Sequence, residues 1–482
     1  LSLKRLAKES FVYGLSGYLS KSISIFLLPL YTAVLTTEDY GILDLLSTIV
    51  VVSSFLIISG TDTAVGYYYF RKEYAGDRPV IIISSLYARL LFSLAGFLII
   101  AFGAPYISHL IFGKDLSLFV VITGFSIVFQ SLHSFLFNLL RFEFRVWLYT
   151  ILSSASVLIN ILLTIYYVLI LHQGVYGALM AQAISYGLIF VFTLLYVFKR
   201  YGHKYSHLWV KKILSYGFPL IGTGVAVWVL NSTDRYFIAH YNDLSAVGIY
   251  AVGAKLGAIV GIFGGALQMA WGPYSMDIQY EENAKEIYSK VYQLYFLLNI
   301  VLVFAISMFS IDILKVFTQP NFYAARAVVP FLCTSVFLSS AFFIVVIGIN
   351  ITKKLQHTIW ITVISAAVNI GMNFLLTPYF GPVGAAFCIM FANFLIFLLT
   401  YLIAQKYYPV DYKHKKILAL LIPAAVIMFI AYYFNMTLYP RIIVSAIFFA
   451  GSAYYIYASY KDSREFKSLL DKIRTVKHKD PE

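Results

Sequence analysis

The amino-acid sequence predicts an all-α polytopic membrane protein with about fourteen transmembrane helices. Three observations predict it. The composition is 61% hydrophobic and 12% charged, with a mean hydropathy of +0.81. A soluble chain carries about 25% charged residues, and a disordered one needs low hydrophobicity with high charge. The apolar residues fall into long runs, and a bilayer span takes about 20 residues. Fourteen such runs absorb nearly all the hydrophobic content of the 482 residues, leaving short loops and no soluble domain. Finally, the basic residues segregate to alternate loops.

The spans are expected at 11–35, 41–66, 80–103, 117–140, 147–171, 174–198, 213–240, 246–271, 291–311, 324–348, 357–378, 381–405, 416–436 and 440–460. Each must be a helix, because backbone facing lipid has to satisfy its own hydrogen bonds. Barrel strands would be about ten residues long with alternating polarity. The first run, Phe11 to Leu35, is too long for a signal-peptide core and lacks a small-residue cleavage site, so it reads as a retained span. Cys333 and Cys388 sit in apolar runs, which excludes a disulfide framework.

Orientation follows from Lys and Arg. With the N-terminus inside, inner segments hold about 28 of the 36 basic residues, and every inner loop has at least two. Outer loops keep Lys114, Lys315, Arg326 and Arg441. The formal charge of +14 thus marks cytoplasmic loops rather than nucleic-acid binding. An even number of spans puts both termini in the cytoplasm. The inner loop 273–290 departs from the rule by being net acidic.

The chain repeats. "YGLSGYLSKS…TTEDYGILDLL" in the first two spans matches "YGFPLIGTGV…NDLSAVGIYAV" in the seventh and eighth. "HQGVYGALMAQ" matches "YFGPVGAAFCI". Gly41 and Gly248, Gly174 and Gly381, and Gly177 and Gly384 are each 207 positions apart. Two parallel six-helix copies follow, at 1–205 and 206–410. The last two helices lie at 411–460, and an amphipathic cytoplasmic tail at 461–482. Two halves that rock about a central site are the architecture of alternating access. Matching the turns of the two copies extends the seventh span to about His240 and places Asp234 and Arg235 within it.

Four basic residues fall inside spans: Lys21, Arg89, Arg235 and Lys255. A charge at membrane depth costs at least about 2.5–3.5 kcal/mol and faces protein or a wet cavity. These four form either a cationic cavity for an anionic substrate or internal pairs with Asp44, Asp62 and Asp234. The acidic three could relay a proton, bind sodium or gate, but salt bridges are the simpler reading. Pro29 and Pro219 interrupt the first helix of each copy and are hinge candidates. Gly257 is another, in a stripe of glycines four apart that also suits close helix packing. The histidines read as loop or span-edge residues without metal-ligand spacing, and no phosphate-binding Gly-rich loop occurs. The 40 Tyr and 41 Phe are what aromatic belts require.

The stretches "LTTEDYGILDLLSTI", "YGFPLIGTG…NSTDRYFIAHY…AVGIYAVGAKL" and "RFEFRVWLYTILSSASVLINILLTIYYVLILHQGVYGALMAQAIS" resemble Wzx-type oligosaccharide flippases. These are the polysaccharide-export branch of the MATE-like MOP transporter superfamily, and the resemblance covers essentially the whole chain. It implies a MATE-like fold and transport of undecaprenyl-pyrophosphate-linked oligosaccharide repeat units across the bacterial inner membrane for surface polysaccharide such as O-antigen. In that family basic cavity residues meet the pyrophosphate, and Lys21, Arg89, Arg235 and Lys255 match by position and type. The expected partners are the lipid-linked oligosaccharide, membrane lipids and polysaccharide polymerase machinery, with no nucleic acid. No cofactor or metal is expected, only coupling to proton, sodium or membrane potential. Two other readings stand beside this one: an ion-coupled multidrug exporter of the same fold, and a membrane-embedded polysaccharide-assembly enzyme. The first would favour an acidic cavity, and the second lacks a catalytic set and a long outer loop.

Overall fold

The computed structural model describes residues 27–58, 60–354 and 356–460. Sixteen α-helices are described, α1 Leu28–Val34, α2 Thr37–Ile58, α3 Thr61–Phe70, α4 Arg78–Phe112, α5 Ser117–Phe142, α6 Val146–Thr164, α7 Gly174–Tyr201 and α8 His207–Tyr241, then α9 Leu244–Asp277, α10 Ala284–Met308, α11 Ser310–Phe317, α12 Val329–Val345, α13 Ile347–Ile351, α14 Gln356–Tyr407, α15 His414–Tyr433 and α16 Leu438–Tyr460. No strand occurs among the described residues. Among the described residues, eleven helices are long and apolar enough to cross a membrane, or twelve when the bent helix α8 is included. The expected count was fourteen. The first expected span lies mostly outside the described residues, and α14 carries two expected spans in one 52-residue run. The tail 461–482 also lies outside the described residues.

Local sequence explains where the helices begin and break. Pro29 and Pro330 occupy the first turns of α1 and α12, where a missing N–H costs nothing. The carboxylate of Asp243 accepts from the Ala246 amide and caps α9. Asp115 accepts from the amide (3.0 Å) and hydroxyl of Ser117 where α5 starts, and those donors hold its carboxyl below the usual range. Gly60, in the left-handed region at φ 65°, separates α2 from α3. α14 changes direction at Gly381, φ 55°, and the matching Gly174 has φ 54°. The same left-handed φ recurs at two landmarks 207 residues apart, as the repeat in sequence predicts for these two turns.

The contacts divide the chain into two units. One comprises residues 280–310 and 410–482, so α10 packs with α15 and α16. In it the Arg441 guanidinium donates to the Met308 carbonyl at 3.0 Å, and Phe304 packs on Phe448 at 4.1 Å between ring centroids. The other unit holds residues 1–279 and 311–409. One apolar cluster among its described residues draws on both sequence copies: Ile42, Leu45 and Ile49 of α2 meet Val247 and Tyr250 of α9 and Leu332 of α12.

Helices α2 and α9 cross at their glycines. A Cβ on Gly41 would stand 1.9 Å from the Leu244 carbonyl oxygen, and one on Gly248 would stand 1.9 Å from the Thr37 carbonyl oxygen. Thr37 and Leu244 are themselves 207 apart, so the contact is reciprocal, as a local twofold requires. Helix α8 runs along α2 and α3, with Gly217 against Gly60 and the Tyr67 ring stacked on Tyr216 at 4.8 Å.

Candidate functional site

Three clusters of polar groups within spans stand out among the described residues. The first is in the N-terminal copy. Arg89 on α4 is fully buried, and its guanidinium donates to Asp62 Oδ1 at 2.5 Å, to Thr61 Oγ1 at 3.2 Å and to the Ser131 carbonyl at 3.0 Å. Asn138 on α5 donates to the other oxygen of Asp62 at 2.7 Å. Asp62 opens α3 because Gly60 ends α2 just before it, so the pair ties α3 to α4 and α5. Burying two charges is costly unless their geometry and hydrogen bonds compensate. Here Arg89 Nε is the one buried side-chain atom of the pair without a partner among the described residues.

The second place joins the two sequence copies. Arg235 on α8 donates through Nε to Asp44 Oδ2 of α2 at 2.5 Å. Its Nη1 donates to Asp234 Oδ1 at 3.1 Å and to the Asn231 carbonyl at 2.9 Å. Asp234 is fully buried and also accepts from the Tyr250 hydroxyl of α9. One turn along α2, the hydroxyls of Thr48 and Tyr236 meet at 2.5 Å, and Trp228 Nε1 donates to the Thr48 carbonyl at 3.0 Å. Lys255 on α9 has Asp44 and Arg235 as its charged neighbours. It makes no ion pair or hydrogen bond among the described residues. The four charges Asp44, Asp234, Arg235 and Lys255 therefore balance. They leave Lys255 Nζ and Arg235 Nη2 as donors without partners among the described residues.

The third place is a ladder in the C-terminal copy that the sequence analysis passed over. Asn369 donates to the Leu230 carbonyl at 3.1 Å, Asn373 to the Asn369 side chain at 3.1 Å, and Thr377 to Asn373 at 2.8 Å. Asn393 donates to Ser335 at 2.9 Å. The spacing of Asn369, Asn373 and Thr377, four apart in α14, was visible as a polar stripe on an apolar helix.

The sequence-derived candidates fall out as follows. Arg89 and Arg235 are internally paired, with Asp62 and with Asp44 and Asp234. Lys255 alone of the described cations at these depths keeps an unengaged ammonium. Lys21 lies outside the described residues. Pro219 stands where α8 bends by 51°, between His207–Pro219 and Gly224–Tyr241. Pro29 opens α1. Gly257 packs on α12, its Cβ position 3.3 Å from the Leu332 carbonyl carbon, and Gly253 and Gly261 meet Val328 and Val336 of the same segment. The glycine stripe is thus a packing surface for α12.

One expectation needs correction. His133 does not sit at a span edge. It lies within α5, stacked near Phe137 at 4.4 Å and Tyr186 at 5.1 Å, with Nε2 3.4 Å from Ser156 Oγ. The ring packs among aromatic side chains inside the helix bundle, which the scatter of histidines along the chain did not suggest. Glu143 was also missed. Its side chain is buried between Tyr196 (2.5 Å), Tyr201, Arg200 (2.8 Å) and Arg145 (3.1 Å), and it ties the loop after α5 to the end of α7. Among the described residues no three His, Cys, Asp or Glu side chains converge to hold a metal.

Comparison with known proteins bears on the family and the fold. Residues 6–279, more than half of the chain, match the family described as polysaccharide biosynthesis protein. A protein of the Lsg locus of Haemophilus influenzae strain Rd is 24% identical over 279 residues, covering 56% of this chain and 66% of that relative. The chain therefore spans just under two thirds of the curated relative it matches. Among solved structures, the lipid II flippase MurJ in an inward closed conformation superposes with a TM-score of 0.74 at 15% identity, over 93% of this chain and 99% of that one. An inward-facing multidrug resistance MATE transporter of the MOP superfamily gives 0.58 at 15% identity, over 84% and 94%. With an apolar multi-helix body, a two-copy repeat and this family match, the chain belongs to the polysaccharide biosynthesis protein family and has the fold of the MOP-superfamily transporters.

Proposed function

We propose that the protein moves undecaprenyl-pyrophosphate-linked oligosaccharide repeat units from the cytoplasmic to the outer leaflet of a bacterial inner membrane. The observation that carries this reading is the charge cluster between the copies. Lys255 and one arm of Arg235 present unengaged donors beside Asp44, in a chain of a polysaccharide biosynthesis family. A sugar headgroup cannot cross hydrocarbon unaided, because its hydroxyls would lose their hydrogen bonds at several kcal/mol each. A polar path between the two copies shelters it while the polyprenyl tail stays in lipid. The cations compensate the diphosphate. The copies at 1–205 and 206–410 are the moving halves, exposing the site to each side in turn.

In this reading both termini are cytoplasmic and the protein performs no covalent chemistry. Release outward draws on proton or sodium exchange, or on the membrane potential at about 2.3 kcal/mol per charge per 100 mV.

The test is genetic and chemical. Deleting the gene should make lipid-linked repeat units accumulate on the cytoplasmic side and deplete surface polysaccharide. Lys255→Ala should reproduce the defect at normal protein level. Normal surface polysaccharide with altered resistance to cationic dyes would overturn the reading in favour of drug export.

A further inference from the structure

The glycine crossing of α2 and α9 obeys the local twofold, but the charges beside it do not. The positions 207 before Asp234 and Arg235 are Leu27 and Leu28, both buried and apolar. The positions 207 after Asp44 and Thr48 are Ala251 and Lys255. Helix packing therefore needs the glycines in both copies and needs the charges in neither. The charges occur once, where α2 meets α8, at the end of the molecule that the loop charges predict to be outer.

Their wiring is incomplete in one direction. Arginine offers five N–H donors in a planar fork suited to carboxylate and phosphate alike. Asp44 takes Nε, Asp234 and the Asn231 carbonyl take Nη1, and Nη2 makes no hydrogen bond among the described residues. Asp234 is held on its other side by Tyr250 and belongs to the same helix as Arg235, so it cannot leave. Asp44 belongs to the other copy, has the nearby Lys255 as its second charged neighbour, and is the exchangeable ligand.

We propose that Asp44 is a stand-in for the cargo's anion. A phosphate oxygen takes its place on Arg235, Lys255 takes up the remaining negative charge, and the freed α2 parts from α8 so that the outer seam opens. Binding and outward opening are then one event. An unloaded protein keeps its outer side shut because Asp44 occupies the arginine. This mechanism rests on the anionic-cargo reading above.

The experiment measures the outer seam directly. Leu118 at the start of α5 and Tyr379 at the predicted outer turn of α14 are exposed and lie on different copies. Spin labels at Leu118→Cys and Tyr379→Cys, with Cys333 and Cys388 changed to Ala, report their separation in the full chain in lipid nanodiscs. Farnesyl diphosphate is the probe and farnesol the uncharged control. We expect the diphosphate to raise the long-distance population at least about fivefold, the lower end of ordinary coupling, and farnesol to leave it unchanged. Asp44→Asn should show the long distance without the probe and gain little from adding it. The charge-exchanged pair Asp44→Arg with Arg235→Asp should restore the short distance and lose the response, which also shows that the variants fold. The proposal is overturned if Asp44→Asn keeps the wild-type distribution, or if the diphosphate acts on it as strongly as on wild type. If lipid-linked intermediates are normal in the gene deletion while the probe and Asp44→Asn behave as expected, the latch stands and the cargo is another lipid diphosphate. If the intermediates accumulate but the seam ignores Asp44, the latch alone fails.

Discussion

Replacing Gly41 by Ala sets two effects against each other. In the middle of an ordinary helix the change is favourable by about 1 kcal/mol, because alanine loses less backbone entropy. At this crossing the new methyl would lie 1.9 Å from the Leu244 carbonyl oxygen. Even a short C···O approach is about 3.3 Å, so the helices must part by about 1.4 Å, that distance less the 1.9 Å present. The oxygen cannot turn aside, because in the helical ladder it accepts from the Gly248 amide. Parting also weakens the reciprocal contacts in which each glycine Cα–H faces a carbonyl, worth about 0.5–1 kcal/mol apiece. Overpacking of this kind costs about 1–3 kcal/mol, so the clash outweighs the propensity gain. The cost falls on the closed seam rather than on the helices, which predicts opening rather than unfolding. The assay is the rate at which an impermeant thiol reagent reaches Val247→Cys, a fully buried position beside the crossing. Gly41→Ala should raise that rate by about 5-fold or more, corresponding to at least 1 kcal/mol of shifted equilibrium. An unchanged rate together with an unchanged or higher melting temperature would refute the reasoning.

Gly248→Ala should behave alike, since its Cβ meets Thr37 at the same distance. Asp62→Ala should lower stability by about 3–5 kcal/mol, because it strands the fully buried Arg89; a thermal unfolding curve in detergent checks this, and Asp62→Asn should cost less. Trp228→Phe should cost about 1 kcal/mol, the net worth of its bond to the Thr48 carbonyl, measured in the same way. Lys255→Ala, which breaks no bond among the described residues, should leave melting unchanged while surface polysaccharide falls.

Legibility differed by the range of the interaction involved. Helix content and approximate helix positions were readable because hydropathy is local and lipid forces each apolar run into one backbone solution. The repeat was readable because turn glycines answer to backbone geometry, as the matched φ of Gly174 and Gly381 shows. Arg89 and Arg235 stood out as misplaced charges, and their partners Asp62 and Asp44 were named as alternatives to a substrate. Composition could not decide between pairing and binding, because Arg89 and Asp62 are 27 positions apart and Arg235 and Asp44 are 191 apart. Glu143 escaped notice and His133 was misplaced for the same reason, since Tyr196, Tyr201 and Arg200 for the one and Tyr186 and Ser156 for the other come from other helices. The clustering of α10 with α15 and α16 likewise left no mark on hydropathy.

The sequence by itself determined a helical membrane protein built from two copies with charges where lipid would not tolerate them, because each of those features follows from a residue and its near neighbours. The tertiary structure alone decided that Arg89 is a strut, that Arg235 is shared between the copies, and that Lys255, near Asp44, makes no hydrogen bond or ion pair among the described residues. Those outcomes depend on which helix faces which: Arg89 meets Asp62 where α4 packs beside α3 and α5, and Arg235 meets Asp44 beside the seam where Gly41 and Gly248 let α2 and α9 cross.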